Sequence, residues 1–160
     1  MSNSNSNSNS LKISDHFYLE EVSTTQHRNI PNEPPQEVIN TALYVAMKME
    51  TVRALLGNKP ISVSSWYRSP KLNAAVGGST TSQHLKGEAV DFICPAFGTP
   101  YEIAHKLNQH KLAVGFDQLI YEGNWVHISF VVPPRAPRVE ALTYMLDKSY
   151  KSGILAKRRI

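Results

Sequence analysis

The sequence predicts an α+β domain, with helix signals first and hairpin signals later. From Gln36 to Leu56 the residues Val38, Ala42, Val45, Met49, Val52 and Leu56 recur at alternating spacings of four and three, one stripe of a long amphipathic helix. Thr99-Pro100-Tyr101-Glu102 is a capping box with proline at the first helical position. Gly123-Asn124 joins two strand-like runs, Asp117–Glu122 and Trp125–Val132, as a two-residue hairpin turn. Together these predict a small antiparallel sheet with flanking helices.

In chain order, residues 2–10 alternate serine and asparagine and offer no apolar surface to offset ordering entropy, so they are read as a disordered leader, 1–10. The folded part is expected over 11–150, beginning near Leu11–Phe17. Pro34-Pro35 and Gly57 bracket the long helix where termini prefer them. Ile61–Arg68 reads as a strand, and Ser69-Pro70 opens a short helix that ends at Gly77-Gly78. Gly87–Ile93 is a second strand, and the capped helix runs to about His110. A last helix over about Arg138–Tyr150 and a basic C-terminal tail, 151–160, complete the expected chain. No internal repeat is visible.

Composition narrows the function. With 41% hydrophobic and 19% charged residues the chain can bury a core. No run approaches the ~20 apolar residues of a membrane span. There is no charged start followed by an apolar stretch, so synthesis in the cytoplasm without a signal peptide is expected. The single cysteine, Cys94, excludes an intramolecular disulfide and a multi-cysteine zinc finger. Net charge is +4, densest at Lys157-Arg158-Arg159, and a solvated basic tail is favoured over a dedicated anion patch. No basic helix or aromatic–basic strip points to nucleic acid. Nothing in the sequence fixes the oligomeric state, and a monomer is favoured.

Three residues stand out together: His84, Asp91 and His127. His84 precedes an aspartate set in an apolar strand, and His127 lies inside another, Val126-His127-Ile128. A carboxylate in such a strand is costly unless hydrogen-bonded, ion-paired or bound to metal. Two imidazoles and a carboxylate suit zinc and leave a fourth position open for chemistry. Taken singly, each has an ordinary explanation: a satisfied core histidine, or a capping or salt-bridged aspartate.

The surrounding stretches resemble the zinc D-Ala-D-Ala carboxypeptidase family of peptidoglycan peptidases, which shares its fold with the hedgehog signalling domain. The likeness rests on Trp66-Tyr67-Arg68-Ser69-Pro70-Lys71-Leu72-Asn73, Gly77-Gly78-Ser79-Thr80-Thr81-Ser82-Gln83-His84, Gly87-Glu88-Ala89-Val90-Asp91-Phe92 and Phe116-Asp117-Gln118-Leu119-Ile120-Tyr121-Glu122 through Ser129. It is nearest the small phage-type branch and runs from about Phe17 to Pro134. It implies one zinc per chain on His84, Asp91 and His127, and an Arg68 that holds substrate or the developing anion.

Many members of that family place an acidic general base three positions before the last histidine ligand, where this chain has Asn124. Strand parity offers a replacement. With Gly123-Asn124 as the turn, Glu122 opposes Trp125 and Ile120 opposes His127, so Glu122 shares the face of His127 and lies diagonally ~7–8 Å from it. Asp117 falls on the other face. Glu122 is therefore the expected base, against the reading of an ordinary surface glutamate. Parity also sets Cys94 on the face away from Asp91, as a buried thiol. His16, His27, His105 and His110 are read as surface or core residues. Ser82, Gln83 and Ser129 are candidates for hydrogen bonds around the site, weighed evenly against ordinary loop and strand roles.

The resemblance implies a zinc peptidase of bacterial peptidoglycan, acting on stem or cross-link peptides as a phage or prophage endolysin or a virion-associated lysin. It would reach the wall by holin-type release or within a virion. The alternative is a non-catalytic zinc module for wall binding or virion assembly.

Overall fold

The computed structural model describes residues 11–159; the Ser/Asn leader expected over 1–10 lies outside the described residues, as does Ile160. Elements run α1 Leu19–Val22, α2 Gln36–Leu55, β1 Ser62–Ser65, α3 Pro70–Ala75, a 3-10 turn Gln83–Lys86, β2 Ala89–Ile93, α4 Pro100–Gln109, α5 Lys111–Val114, β3 Gln118–Tyr121, β4 Val126–Ser129, β5 Glu140–Tyr144 and β6 Tyr150–Ser152. Among the described residues, no helix is long and apolar enough to cross a membrane.

The α+β class holds. A six-stranded sheet, ordered β1-β2-β4-β3-β5-β6, shares one hydrophobic core with α2, α4 and α5. The periodic stripe forms α2 and buries Val38, Ala42, Val45, Met49 and Val52 against Val90, Phe92, Val126 and Ile128 of the sheet. Each of the valine and methionine side chains contributes about 1.5–3 kcal/mol by leaving water. Ser69 Oγ accepts the Leu72 N–H at the start of α3, and the Thr99–Glu102 capping box opens α4 as the sequence predicts. Gly87 closes the 3-10 turn at φ +74°, and a Cβ there would come within 2.8 Å of Val38 Cγ1, so this turn packs on α2 only with glycine.

Two expectations need correction. Residues 138–150 form no helix: they supply β5 and the start of β6, joined through Asp147-Lys148-Ser149. Glu140, Ala141, Leu142 and Met145 favour helix in isolation. Pairing along β3 overrides them, and that pairing is parallel, Gln118↔Glu140 to Tyr121↔Thr143, which makes the sheet mixed. The boundary expected at 150/151 also falls inside β6, since Tyr150–Ser152 pairs with β5. Beyond it the chain returns: Arg158 Nε donates to the Tyr144 carbonyl at 2.7 Å, and the Leu146 N–H donates to the Arg158 carbonyl at 2.9 Å.

The β3–β4 hairpin has the predicted register. Ile120 opposes His127, and the Glu122 N–H donates to the Trp125 carbonyl at 3.0 Å across the Gly123-Asn124 turn. Gly123 sits at φ +95°, with the Arg158 guanidinium where a Cβ would project. Gly123→Ala therefore combines backbone strain with displacement of Arg158. It is expected to destabilise the fold by about 1–3 kcal/mol, read as a lower urea midpoint with an unchanged slope.

Asp117 anchors the return of the chain to β5. Its carboxylate accepts from the Arg138 backbone N–H at 2.7 Å and from Nε and Nη2 at 3.0 and 2.7 Å. Burial pushes its carboxyl up, but the bonds from Arg138 more than reverse this and leave it below the ordinary value. A depressed carboxyl stabilises the fold above the unfolded value, near pH 4, and loses that stabilisation as pH falls through the folded value. The melting temperature should accordingly drop between about pH 5 and pH 2, and drop less in Asp117→Asn. Equal drops in both proteins would refute this anchoring role.

Candidate metal centre

One rung of the sheet runs Ile120, His127, Asp91, Ser65 across β3, β4, β2 and β1. Antiparallel partners directly opposed share a face, so Asp91 and His127 meet side by side. A bulge between Val63 and Ser65 brings Ser65 opposite Asp91, at the end of β1 where the chain turns toward Arg68. The opposite face of these strands carries the core.

His84 arrives from outside the sheet. Its 3-10 turn is tied to the end of β1 by three bonds. Trp66 Nε1–H donates to the Gly87 carbonyl at 3.0 Å, the Arg68 N–H donates to the His84 carbonyl at 3.0 Å, and His84 Nδ1 lies 2.6 Å from the Trp66 carbonyl. A carbonyl only accepts, so the neutral ring carries its proton on Nδ1 and Nε2 is a bare lone pair.

That lone pair is buried and has no hydrogen-bond partner among the described residues. It stands 3.2 Å from Asp91 Oδ1, the same oxygen that His127 Nδ1 approaches at 3.0 Å. A bare nitrogen facing a carboxylate oxygen at that distance is repulsive unless a cation or proton lies between. The three donor atoms fall within 4.8 Å of one another. Two imidazole nitrogens and one carboxylate oxygen are the donor set of an open zinc site. The residues fit the ion.

Electrostatics agree. Burial pushes the His84 imidazole below its ordinary value, outweighing the pull of Asp91, and so favours the neutral, ligating form. Burial alone would raise the Asp91 carboxyl, but His84 and the bond from His127 hold it well below the usual carboxylate range. The other oxygen, Oδ2, lies 3.4 Å from Arg68 Nη2. Arg68 is fixed in turn by Ser65 Oγ at 3.3 Å and Asn73 Oδ1 at 3.2 Å, while Asn73 donates to the Ser79 carbonyl at 2.9 Å. Arg68 thus touches a predicted ligand directly and orients it.

Glu122 lines the same cavity as His84, Asp91, His127 and Arg68. It is half-buried, and burial pushes its carboxyl above the ordinary value against the opposing pull of His127. A carboxyl raised in a cleft beside a metal set is suited to take and return a proton. Asn124 is exposed and lies on the other side of the turn, lining an adjoining cavity. Asp117 is bound to Arg138 and does not line this site.

The remaining candidates sort as follows. Cys94 is fully buried in the core. His16 pairs with Glu50, His105 stacks on Tyr101, His110 ends α4, and His27 lines the adjoining cavity. Ser82 caps the 3-10 turn and Gln83 bridges Glu88 and Arg138, both beside the cleft, while Ser129 Oγ accepts the Gln118 N–H. Two contributors escaped the sequence reading. The Trp66 backbone carbonyl leaves no side-chain signal, whereas Asn73 stands at the end of the Trp66–Asn73 stretch and was open to notice.

A curated relative, the zinc D-Ala-D-Ala carboxypeptidase of Streptomyces albus G, is 40% identical over 50 residues, 31% of this chain. That match spans only 20% of the relative's length. The family model described as Peptidase M15 matches residues 15–129, well over half of the chain and including all three donors and Glu122. The chain belongs to the M15 peptidase family.

Proposed function

We propose that this chain is a zinc-dependent peptidase that hydrolyses stem or cross-link peptides of bacterial peptidoglycan. The observation that carries this reading is the buried, unpartnered Nε2 of His84, aimed with His127 Nδ1 at one oxygen of Asp91 beside a half-buried glutamate. The substrate class is supported by family membership and by the named activity of the Streptomyces relative.

His84 Nε2, His127 Nδ1 and an oxygen of Asp91 would hold the zinc. Bound there, zinc supplies Lewis acidity, lowering the pKa of water toward about 7 and polarising a carbonyl. The Glu122 carboxylate takes the proton as water attacks the scissile carbonyl, and its raised carboxyl can then deliver that proton to the leaving nitrogen. Arg68 keeps Asp91 oriented through Nη2. Its remaining N–H groups can meet the oxyanion that develops on the carbonyl oxygen. Trp125, 38% exposed at the mouth of the cleft, gives a flat apolar surface for the peptide.

A phage or prophage lysin, working at the wall after release or from a virion, is the finer assignment we favour. It is supported by the resemblance of the motif stretches to the phage-type branch. The non-catalytic alternative takes its force from Asn124, yet it leaves Glu122 in the cleft without a task.

Purified protein should contain about one zinc per chain by elemental analysis, and the double variant His84→Ala, His127→Ala should lose it. Glu122→Gln should keep zinc and melting temperature while lowering release of peptide fragments from sacculi by about 10²–10⁴-fold. Near-full activity in Glu122→Gln would remove the base assignment. A zinc-loaded wild type inert on sacculi would favour the non-catalytic module.

A further inference from the structure

The 3-10 turn that carries His84 is attached on two flanks. Its bonds with Trp66 and Arg68 tie it to the end of β1. In the sheet, β1 and β5 lie on opposite sides of the β2–β4 pair that supplies Asp91 and His127. A turn tied only from the β1 side could still swing about that tether. The second attachment comes from the loop 131–139, which leads from β4 to β5.

Gln83, the residue before His84, makes the connection. Its Nε2 donates to Glu88 Oε1 at 3.1 Å, and its Oε1 accepts from Arg138 Nη2 at 3.3 Å. An ionised Glu88 only accepts and Arg138 only donates, so an amide, which does both, is the side chain that satisfies the pair. Glutamate at this position would set a second carboxylate against Glu88, and lysine a second cation against Arg138.

The loop fixes both partners of that amide. Glu88 is 2% exposed, and a carboxylate so buried is costly unless paired. Arg135, exposed on the loop, supplies the pair by donating from Nη2. Arg138 is held on the Asp117 carboxylate by its backbone N–H, Nε and Nη2, and the Glu140 N–H donates to the Asp117 carbonyl at 3.0 Å. Between Arg138 and Glu140, Val139 sits at φ +54°. A β-branched residue takes up that left-handed conformation only where its surroundings impose it. The loop thus delivers two guanidinium groups to set places, one through Glu88 to the Gln83 donor and one directly to its acceptor.

We propose that Gln83 is a positioning residue for the metal centre: through its amide the loop 131–139 clamps the His84 turn, so that zinc affinity and the order of this loop are coupled. Gln83 is not a donor to the ion, and it acts on His84 through the backbone they share. The inference goes beyond the peptidase reading, since the coupling needs the three donors and no turnover. Such coupling is reciprocal, so zinc must steady the loop by as much as the loop steadies zinc.

Two measurements on the full chain test it. In the first, the zinc affinities of wild type and Gln83→Met are read at pH 7 by competition with a chelator, beside the melting temperature of each zinc-free protein. Methionine keeps the length of the side chain, Glu88 retains Arg135 and Arg138 retains Asp117, so the zinc-free variant should melt close to wild type. Its dissociation constant for zinc should rise about 10-fold or more, as for other partners that orient a ligand. An affinity within about twofold of wild type overturns the proposal. The second measurement, amide hydrogen exchange of wild type with and without one equivalent of zinc, needs no variant. Zinc should slow exchange of the Arg138 N–H, bonded to Asp117, by about fivefold or more, and leave unchanged that of Lys148, bonded to the Met145 carbonyl between β5 and β6. Equal exchange at Arg138 in the two states, or a slowing at Lys148 as large as at Arg138, overturns the coupling whatever the affinity of the variant.

Discussion

The Trp66 carbonyl can only accept a hydrogen bond, and the metal centre depends on that restriction. Placed 2.6 Å from His84 Nδ1, it settles which ring nitrogen carries the proton and leaves Nε2 bare toward Asp91. The bonds from Trp66 Nε1 to the Gly87 carbonyl and from the Arg68 N–H to the His84 carbonyl lock the 3-10 turn to the end of β1, so the ring has little freedom to turn away. Removing a buried partner from such a network leaves the others unsatisfied, which costs more than the bond itself contributes.

From that fixed histidine the site builds across the sheet. Asp91 and His127 meet because β2 and β4 are neighbours in register, and the core on the opposite face holds that register: a slip of one residue would send both donors into the Val90, Phe92 and Ile128 layer. Glu122 depends on the hairpin, and the hairpin is buttressed from the C-terminal side. Arg158 lies 5.8 Å over the Tyr121 ring and fills the space beside Gly123. The strands β5 and β6 follow residue 129, where the family match ends. They add Tyr144 and Tyr150 to the wall of the cleft.

Much of this was legible in the sequence, for identifiable reasons. The α2 stripe and both N-caps are local signals, written within a few residues of where they act. Hairpin parity set Glu122 on the face of His127 and Asp117 off it, because a two-residue turn fixes register without any long-range knowledge. The metal donors were separated by up to dozens of residues, and residue type alone left each with an ordinary reading; the β2–β4 pairing that joins Asp91 to His127 is non-local. Non-local pairing also decided residues 138–150, whose helix-forming composition yields to the edge of β3. Arg158, read with Lys157 and Arg159 as a solvated basic tail, instead returns onto the hairpin and joins the scaffold, while its two basic neighbours stay exposed.

The central claim is that the fold presets His84 as a neutral, Nδ1-protonated ligand with Nε2 directed at the zinc position. Nitrogen-15 NMR of the imidazole rings near pH 7, on chelator-treated protein and again after one equivalent of zinc, tests it most directly. The account predicts an Nδ1–H tautomer for His84 before zinc is added, with the Nε2 resonance then moving to a coordinated value while Nδ1 stays protonated. An Nε2–H tautomer in the chelator-treated protein, or a His84 Nε2 resonance that ignores bound zinc, would contradict it.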